Sequence, residues 1–166
     1  MVKLAIVGAQ NSGKTTVIEG LIGYLVGKGY KVASIKHTSH EHSFDTPGKD
    51  SHRHREAGAG LTVAISREEV AVFARPDLLD ISRIQNITGK QFDIWLIEGD
   101  RNADYSKVMV TRDSEEFSEA MPKNIVATIG SKRVNSELSH FEAGDFSGLG
   151  SFVINTMLEN ETEITN

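Results

Sequence analysis

Eight consecutive residues, Gly8-Ala9-Gln10-Asn11-Ser12-Gly13-Lys14-Thr15, follow the pattern glycine, any four residues, Gly-Lys-Thr. This arrangement suits phosphate. Glycines let the backbone turn until successive N–H groups point at one anion, and a helix that follows adds the positive end of its dipole. Gly8, Asn11, Ser12 and Gly13 would then form the nucleotide-binding loop, and the Lys14 ammonium would reach the β- and γ-phosphates as a catalytic group. The Thr15 hydroxyl would bind Mg²⁺, and Thr16 would hydrogen-bond an inner phosphate. Average residue frequencies produce this pattern by chance in under roughly 1% of chains of this length. The alternative is a glycine-rich turn that only links a strand to a helix.

A phosphate loop of this kind needs a second carboxylate on the magnesium side. Asp93-Ile94-Trp95-Leu96-Ile97-Glu98-Gly99 supplies one where an apolar run meets a glycine, so Glu98 is the second catalytic candidate and, with Thr15, the second Mg²⁺ candidate. Between the two motifs lies a polar stretch in which Lys36, His37, Lys49, Arg53 and Arg55 could meet an anionic ligand. A solvated loop is the plainer alternative. Pairs such as His40 with His42, or His52 with His54, also suit a transition metal. For base recognition, the Asn-Lys-x-Asp tetrapeptide of regulatory GTPases is missing; Asp113 after one strand and the Thr128-Ile129-Gly130-Ser131 run after another stand where a base contact could be made.

The elements that would carry these groups follow from apolar periodicity. Leu4 to Val7 is a nearly continuous apolar run, as in a strand buried on both faces of a parallel sheet. From Thr15 the apolar residues Val17, Ile18, Leu21, Ile22, Leu25 and Val26 recur at helical steps, and Gly29 stops the helix. Lys31–Lys36 alternates as a second strand, completing a βαβ unit. Residues 37–60 read as a loop with one helical turn over Arg53–Ala59. Leu61–Ile65 and Glu69–Phe73 read as a hairpin, and Asp77 as the cap of a helix carrying Leu78, Leu79, Ile81, Ile84 and Ile87. Ile94–Ile97, Val108–Val110 and Ile125–Ile129 are further strands, and Phe146–Leu158 a closing helix.

Composition narrows the classes that remain. The 166 residues are 39% hydrophobic and 25% charged, as in globular proteins, and the net charge of −5 argues against a general nucleic-acid binder. With no cysteine, disulfides, thiolate-bound zinc, iron–sulfur clusters and thiol nucleophiles are excluded. No apolar run has the length of a signal core or a membrane span, so the expectation is a soluble, cytoplasmic chain with no membrane and no nucleic-acid partner. No internal repeat and no linker-like segment divides it. The fold class expected is α/β: a P-loop NTPase-like, mostly parallel sheet flanked by helices, with a small β-hairpin insertion. One nucleotide-binding domain would span residues 1–158, followed by a polar acidic tail at 159–166.

Gly8–Thr16, Ile35-Lys36-His37-Thr38, the block from Asp45-Thr46-Pro47-Gly48-Lys49-Asp50-Ser51 through His52-Arg53-His54-Arg55-Glu56-Ala57-Gly58-Ala59, and Leu96-Ile97-Glu98-Gly99 together resemble MobB, the molybdopterin-guanine dinucleotide biosynthesis protein B family. The resemblance is close over residues 1–100 and extends to the rest through its strand pattern. It implies a GTP-binding adapter with weak, Mg²⁺-dependent GTPase activity that assists attachment of GMP to molybdopterin. The implied partners are GTP, molybdopterin or the molybdenum cofactor, a MobA-type nucleotidyltransferase and a second copy in a homodimer. At Asp100-Arg101 the chain departs from the family's pattern of an aromatic residue and a lysine after Glu-Gly. Two other classes compete: a nickel- or zinc-insertion GTPase, which would explain the histidines, and a small-molecule kinase, which would need an arginine-rich lid later in the chain.

Overall fold

A computed structural model describes residues 1–38, 43–88, 91–113 and 121–159. The contacts separate two compact units where the sequence carries no linker: the described parts of Met1–Thr38 with Gln91–Asn166, and of Ser39–Lys90.

The first unit is built on β1 (Val2–Val7), α1 (Lys14–Gly27), β2 (Val32–Lys36), β5 (Ile94–Glu98), β6 (Ser106–Thr111), β7 (Ile125–Gly130), β8 (Ser139–Phe141) and α4 (Phe146–Val153), the last continuing as a wider π-type turn over Ile154–Leu158. Among the described residues the strands lie in the order β2-β5-β1-β6-β7-β8, with every neighbouring pair parallel. Alternation along each strand sends side chains to two faces. Leu4, Ile6, Leu96, Val108 and Ile129 pack on one face against Val17, Ile18, Leu21 and Leu25 of α1 and Leu149 and Val153 of α4. Ala5, Val7, Ile97 and Met109 form a smaller cluster on the other, with Ile35, Tyr105 and Ile125 packed against it.

Two helical glycines set the distance between α1 and α4. A Cβ on Gly20 would stand 2.4 Å from the Phe146 ring, and one on Gly150 would stand 2.2 Å from the Tyr24 ring. Each glycine thus receives the aromatic ring of the other helix. The Tyr24 hydroxyl then meets Ser151 Oγ at 2.7 Å.

Parallel strands in one sheet are usually joined through a helix, a crossover of a dozen residues or more. Here β5 and β6 flank β1 and are joined by residues 99–105 alone. That short path is tied down at its end. Lys107, with no exposed surface, donates from Nζ to the carbonyls of Ala103, Tyr105 (3.1 Å) and Lys123 (3.1 Å). An ammonium has only donors, so three carbonyls satisfy it without a carboxylate.

The second unit contains α2 (Asp50–Glu56), the antiparallel hairpin β3 (Leu61–Ile65) and β4 (Val70–Ala74), and α3 (Ile81–Thr88). The expected hairpin insertion is present, accompanied by two helices. Helix α2 begins at Asp50, three residues before the turn expected at Arg53, because Lys49, Asp50 and the following polar residues supply a first turn that apolar periodicity does not register. The cap of α3 is Asp80, whose Oδ1 accepts from the Arg83 N–H at 2.8 Å, in place of Asp77; Asp77 is taken by the Arg75 guanidinium at 2.9 Å, and the helix starts at Ile81. Strand β8, with only three residues, has no sequence pattern to announce it. Of the expected acidic tail only Glu159 falls within the described residues.

Candidate functional site

Strand β1 ends in the glycine-bearing loop, and α1 begins at Lys14. Between them the backbone bends through left-handed positions at Asn11 (φ 60°) and Gly13 (φ 98°). Left-handed residues within a turn bring N–H groups to one side and make an anion-binding concavity. Gly8 is required by space: a Cβ there would lie 2.7 Å from Ser12 Oγ and 2.8 Å from the Val110 carbonyl oxygen of β6. Ser12 is buried, and its hydroxyl has no hydrogen-bond partner among the described residues. A buried hydroxyl left over inside a phosphate-type loop fits a ligand oxygen. Lys14 Nζ donates to the carbonyls of Gly8 (3.2 Å) and Ala9 (2.6 Å), so the ammonium lies along the loop. Asn11 and Thr16 are exposed on the same segment.

The second motif meets this loop through the sheet. Glu98 closes β5, in register with Ile6 of β1 on one side and Lys36 of β2 on the other. The Thr15 hydroxyl donates to Glu98 Oε2 at 3.1 Å, across 83 residues of chain. Lys36 Nζ lies 3.6 Å from Glu98 Oε1; the Glu98 side chain is 15% exposed and that of Lys36 62%. Two hard oxygen donors, a hydroxyl and a carboxylate, thus stand side by side, the donor set Mg²⁺ takes when it also keeps waters and phosphate oxygens. The residues present fit the ion.

The turn after Glu98 is sharp and specific. Gly99 (φ 91°) and Asp100 (φ 56°) are both left-handed, and a Cβ on Gly99 would lie 2.7 Å from the His37 carbonyl oxygen. The His37 N–H donates to the Glu98 carbonyl at 2.9 Å, while the His37 ring itself is exposed. Asp100 occupies the position where the family resemblance calls for an aromatic residue. A short polar side chain tolerates the left-handed conformation better than a bulky one, and the carboxylate accepts the Tyr105 hydroxyl from the same crossover. Burial, then the Asp100 hydrogen bond and charge, push the Tyr105 phenol above its ordinary value of 10.0.

The remaining cations take separate places. Arg55 Nε lies 3.3 Å from Asp45 Oδ2, and its guanidinium sits over the Phe73 ring with 5.3 Å to the centroid. Asp45 is buried and also accepts from Ser51 Oγ at 2.9 Å, so Arg55 clasps the segment before α2 to the helix and hairpin. Arg53 is 3.8 Å from Asp50, both largely exposed, and Lys49 is the exposed residue that precedes α2. Arg53 and Arg55 therefore do not converge on one point. His52 Nδ1 is 3.5 Å from Glu56, whereas His40 and His42 lie outside the described residues. Among the described residues no three His, Asp or Glu side chains gather as a metal group. Asp113 is exposed, and Thr128 is buried with its hydroxyl 2.8 Å from His140 Nδ1.

Sequence reasoning missed the Lys36–Glu98 pairing and the Asp100–Tyr105 hydrogen bond. Lys36, Glu98 and Asp100 each left a signal of their own, but none that named its partner. No helix among the described residues is long and apolar enough to cross a membrane.

Comparison with known proteins places the chain among relatives. The family model described as "MobB: Molybdopterin guanine dinucleotide synthesis protein B" matches residues 3–131. The molybdopterin-guanine dinucleotide biosynthesis adapter protein of Escherichia coli K12 is 30% identical over 163 residues, covering 93% of this chain and 92% of that protein. The probable adapter protein of Bacillus subtilis 168 is 34% identical over 131 residues, 77% of this chain and 75% of its own length. The crystal structure of Bacillus subtilis MobB superposes with a TM-score of 0.76 at 30% identity, covering 93% of this chain and 97% of that one.

Proposed function

The chain belongs to the MobB family of molybdopterin-guanine dinucleotide biosynthesis adapters, and from that premise we propose that it binds GTP with Mg²⁺ and hydrolyses it slowly. In this reading it acts in the cytoplasm as a homodimeric accessory to a MobA-type nucleotidyltransferase that joins GMP to molybdopterin. The observation that carries the reading is the 3.1 Å contact between Thr15 and Glu98, which brings two separate motifs together beside Lys14. Such a meeting of hydroxyl, carboxylate and ammonium has a use in handling a nucleotide triphosphate and its metal.

The chain's own groups divide the work. The loop from Gly8 to Gly13 holds phosphate oxygens through backbone N–H groups, Lys14 adds a charge-assisted donor, and Thr16 reaches an inner phosphate. Thr15 and Glu98 would hold Mg²⁺, which supplies charge neutralisation at the phosphates. Glu98, largely shielded from solvent, keeps its carboxylate fixed, and its remaining lone pairs can orient a water.

Fluorescence titration with labelled GTP and ATP, with and without Mg²⁺, tests this function. Lys14→Ala should remove most GTP binding while leaving the melting temperature unchanged, since its ammonium serves the loop and no core packing. Thr15→Ala should weaken the dependence on Mg²⁺ and retain some metal-free affinity. Wild-type affinity for GTP in Lys14→Ala, or equal preference for ATP in the native chain, would overturn the assignment.

A further inference from the structure

Glu98 serves two neighbours at once. One oxygen accepts the Thr15 hydroxyl, and the other lies 3.6 Å from the Lys36 ammonium. The register that pairs Lys36 with Glu98 on adjacent strands makes this juxtaposition a property of the sheet. Adjacent strands are about 4.8 Å apart, so β2 carries Lys36 within about 10 Å of β1, the strand that leads into the phosphate loop. Lys36 has a mostly exposed, four-carbon stem and can leave the carboxylate without opening any core.

We propose that Lys36 is a positioning residue that makes occupation of the site depend on metal and terminal phosphate together. The inference rests on the GTP reading above. Lys36 and a divalent ion draw on the same carboxylate, so binding of the ion at Glu98 and Thr15 requires Lys36 to give up part of its pairing. A terminal phosphate repays that loss by offering the ammonium a second anionic partner; a diphosphate offers less. Lys36 therefore opposes Mg²⁺ when the nucleotide is GDP and supports it when the nucleotide is GTP. A lysine acting only as a phosphate contact would favour both nucleotides and leave the metal requirement alone.

The two behaviours separate in a titration. Mg²⁺ is added to the full chain with a fixed concentration of fluorescently labelled GDP or GTP, for the wild type, Lys36→Gln and Lys36→Arg. With GDP, Lys36→Gln should lower the Mg²⁺ concentration at half-saturation about two- to fivefold, the span expected for an ion pair with one largely exposed partner. With GTP the same variant should lose about three- to tenfold of the wild type's preference for GTP over GDP. Lys36→Arg, which keeps the charge, should stay near the wild type in both. An unchanged Mg²⁺ midpoint with GDP overturns the proposal, as does equal weakening of GDP and GTP with the metal requirement unchanged or raised. A wild-type chain that binds neither nucleotide removes the GTP reading and this inference with it, an outcome distinct from binding that is indifferent to Lys36.

Discussion

Tyr105 anchors the turn that follows Glu98 by donating its hydroxyl to Asp100. The phenol must stay neutral to donate. Because its folded value is raised above 10.0, the associated stability is fully present below that pH and is lost as pH rises through the folded value. Tyr105→Phe should reduce the unfolding free energy at pH 8 by about 1 kcal/mol, the net worth of a hydrogen bond, and flatten the fall in stability at alkaline pH. Urea unfolding at two pH values measures both. Ultraviolet titration of the phenolates gives an independent check, since the Tyr105 phenol should ionise above its ordinary value and its contribution should vanish from the curve in the variant. Identical alkaline limbs in the two proteins would remove this role. Asp100 stands out in the sequence as a departure from the family's pattern, but its meeting with Tyr105 does not, because it depends on a crossover too short to hold a helix. Lys14, Thr15 and Glu98 were visible because a phosphate loop constrains residue types locally and an apolar strand ending at Gly99 marks the position of a carboxylate. Lys36 was visible as a cation but not as a partner of Glu98; pairing across strands has no local pattern.

Helix α1 holds the phosphate loop at one end and packs along α4 by exchanging rings into glycines. Gly20 and Gly23 lie one turn apart with different surroundings. A Cβ on Gly20 would press into the root of the Phe146 ring, whereas a Cβ on Gly23 would meet nothing within 4 Å. Gly20→Ala should therefore destabilise by about 1–3 kcal/mol through overpacking, despite the better helix propensity of alanine. Gly23→Ala should stabilise by up to about 1 kcal/mol. Thermal unfolding of the two variants decides the matter, and equal shifts of the same sign would contradict the packing described. The apolar stripe announced the existence of α1, but Val26 on that stripe is exposed, so periodicity overestimated its buried face. Start positions were less visible where capping competes: Asp77 and Asp80 are both suitable acids, and in the fold Asp80 takes the cap while Asp77 pairs with Arg75.

For the molecule as a whole, the hairpin has two unlike faces. Thr62 is buried and Phe73 is half-buried under Arg55, whereas Leu61, Val63, Ile65, Val70 and Val72 are all exposed, Ile65 by 76%. A two-stranded sheet with such a face is marginal in water alone. If the proposed homodimer forms, this is the apolar surface it should cover, and Ile65→Lys should shift the mass measured by sedimentation equilibrium from dimer to monomer. An unchanged dimer would place the interface elsewhere. The two strands read as a hairpin in the sequence, but nothing there separated the inner side from the outer one. Lys107 carries a consequence of a different kind. Its amine is sealed from solvent by three carbonyls, so a water-borne acylating reagent cannot reach it while β6 remains paired. Exposed lysines such as Lys36 and Lys49 will be labelled at once. Lys107 will be labelled only as often as the sheet opens, which makes the mass of one peptide a clock for the opening of the native chain.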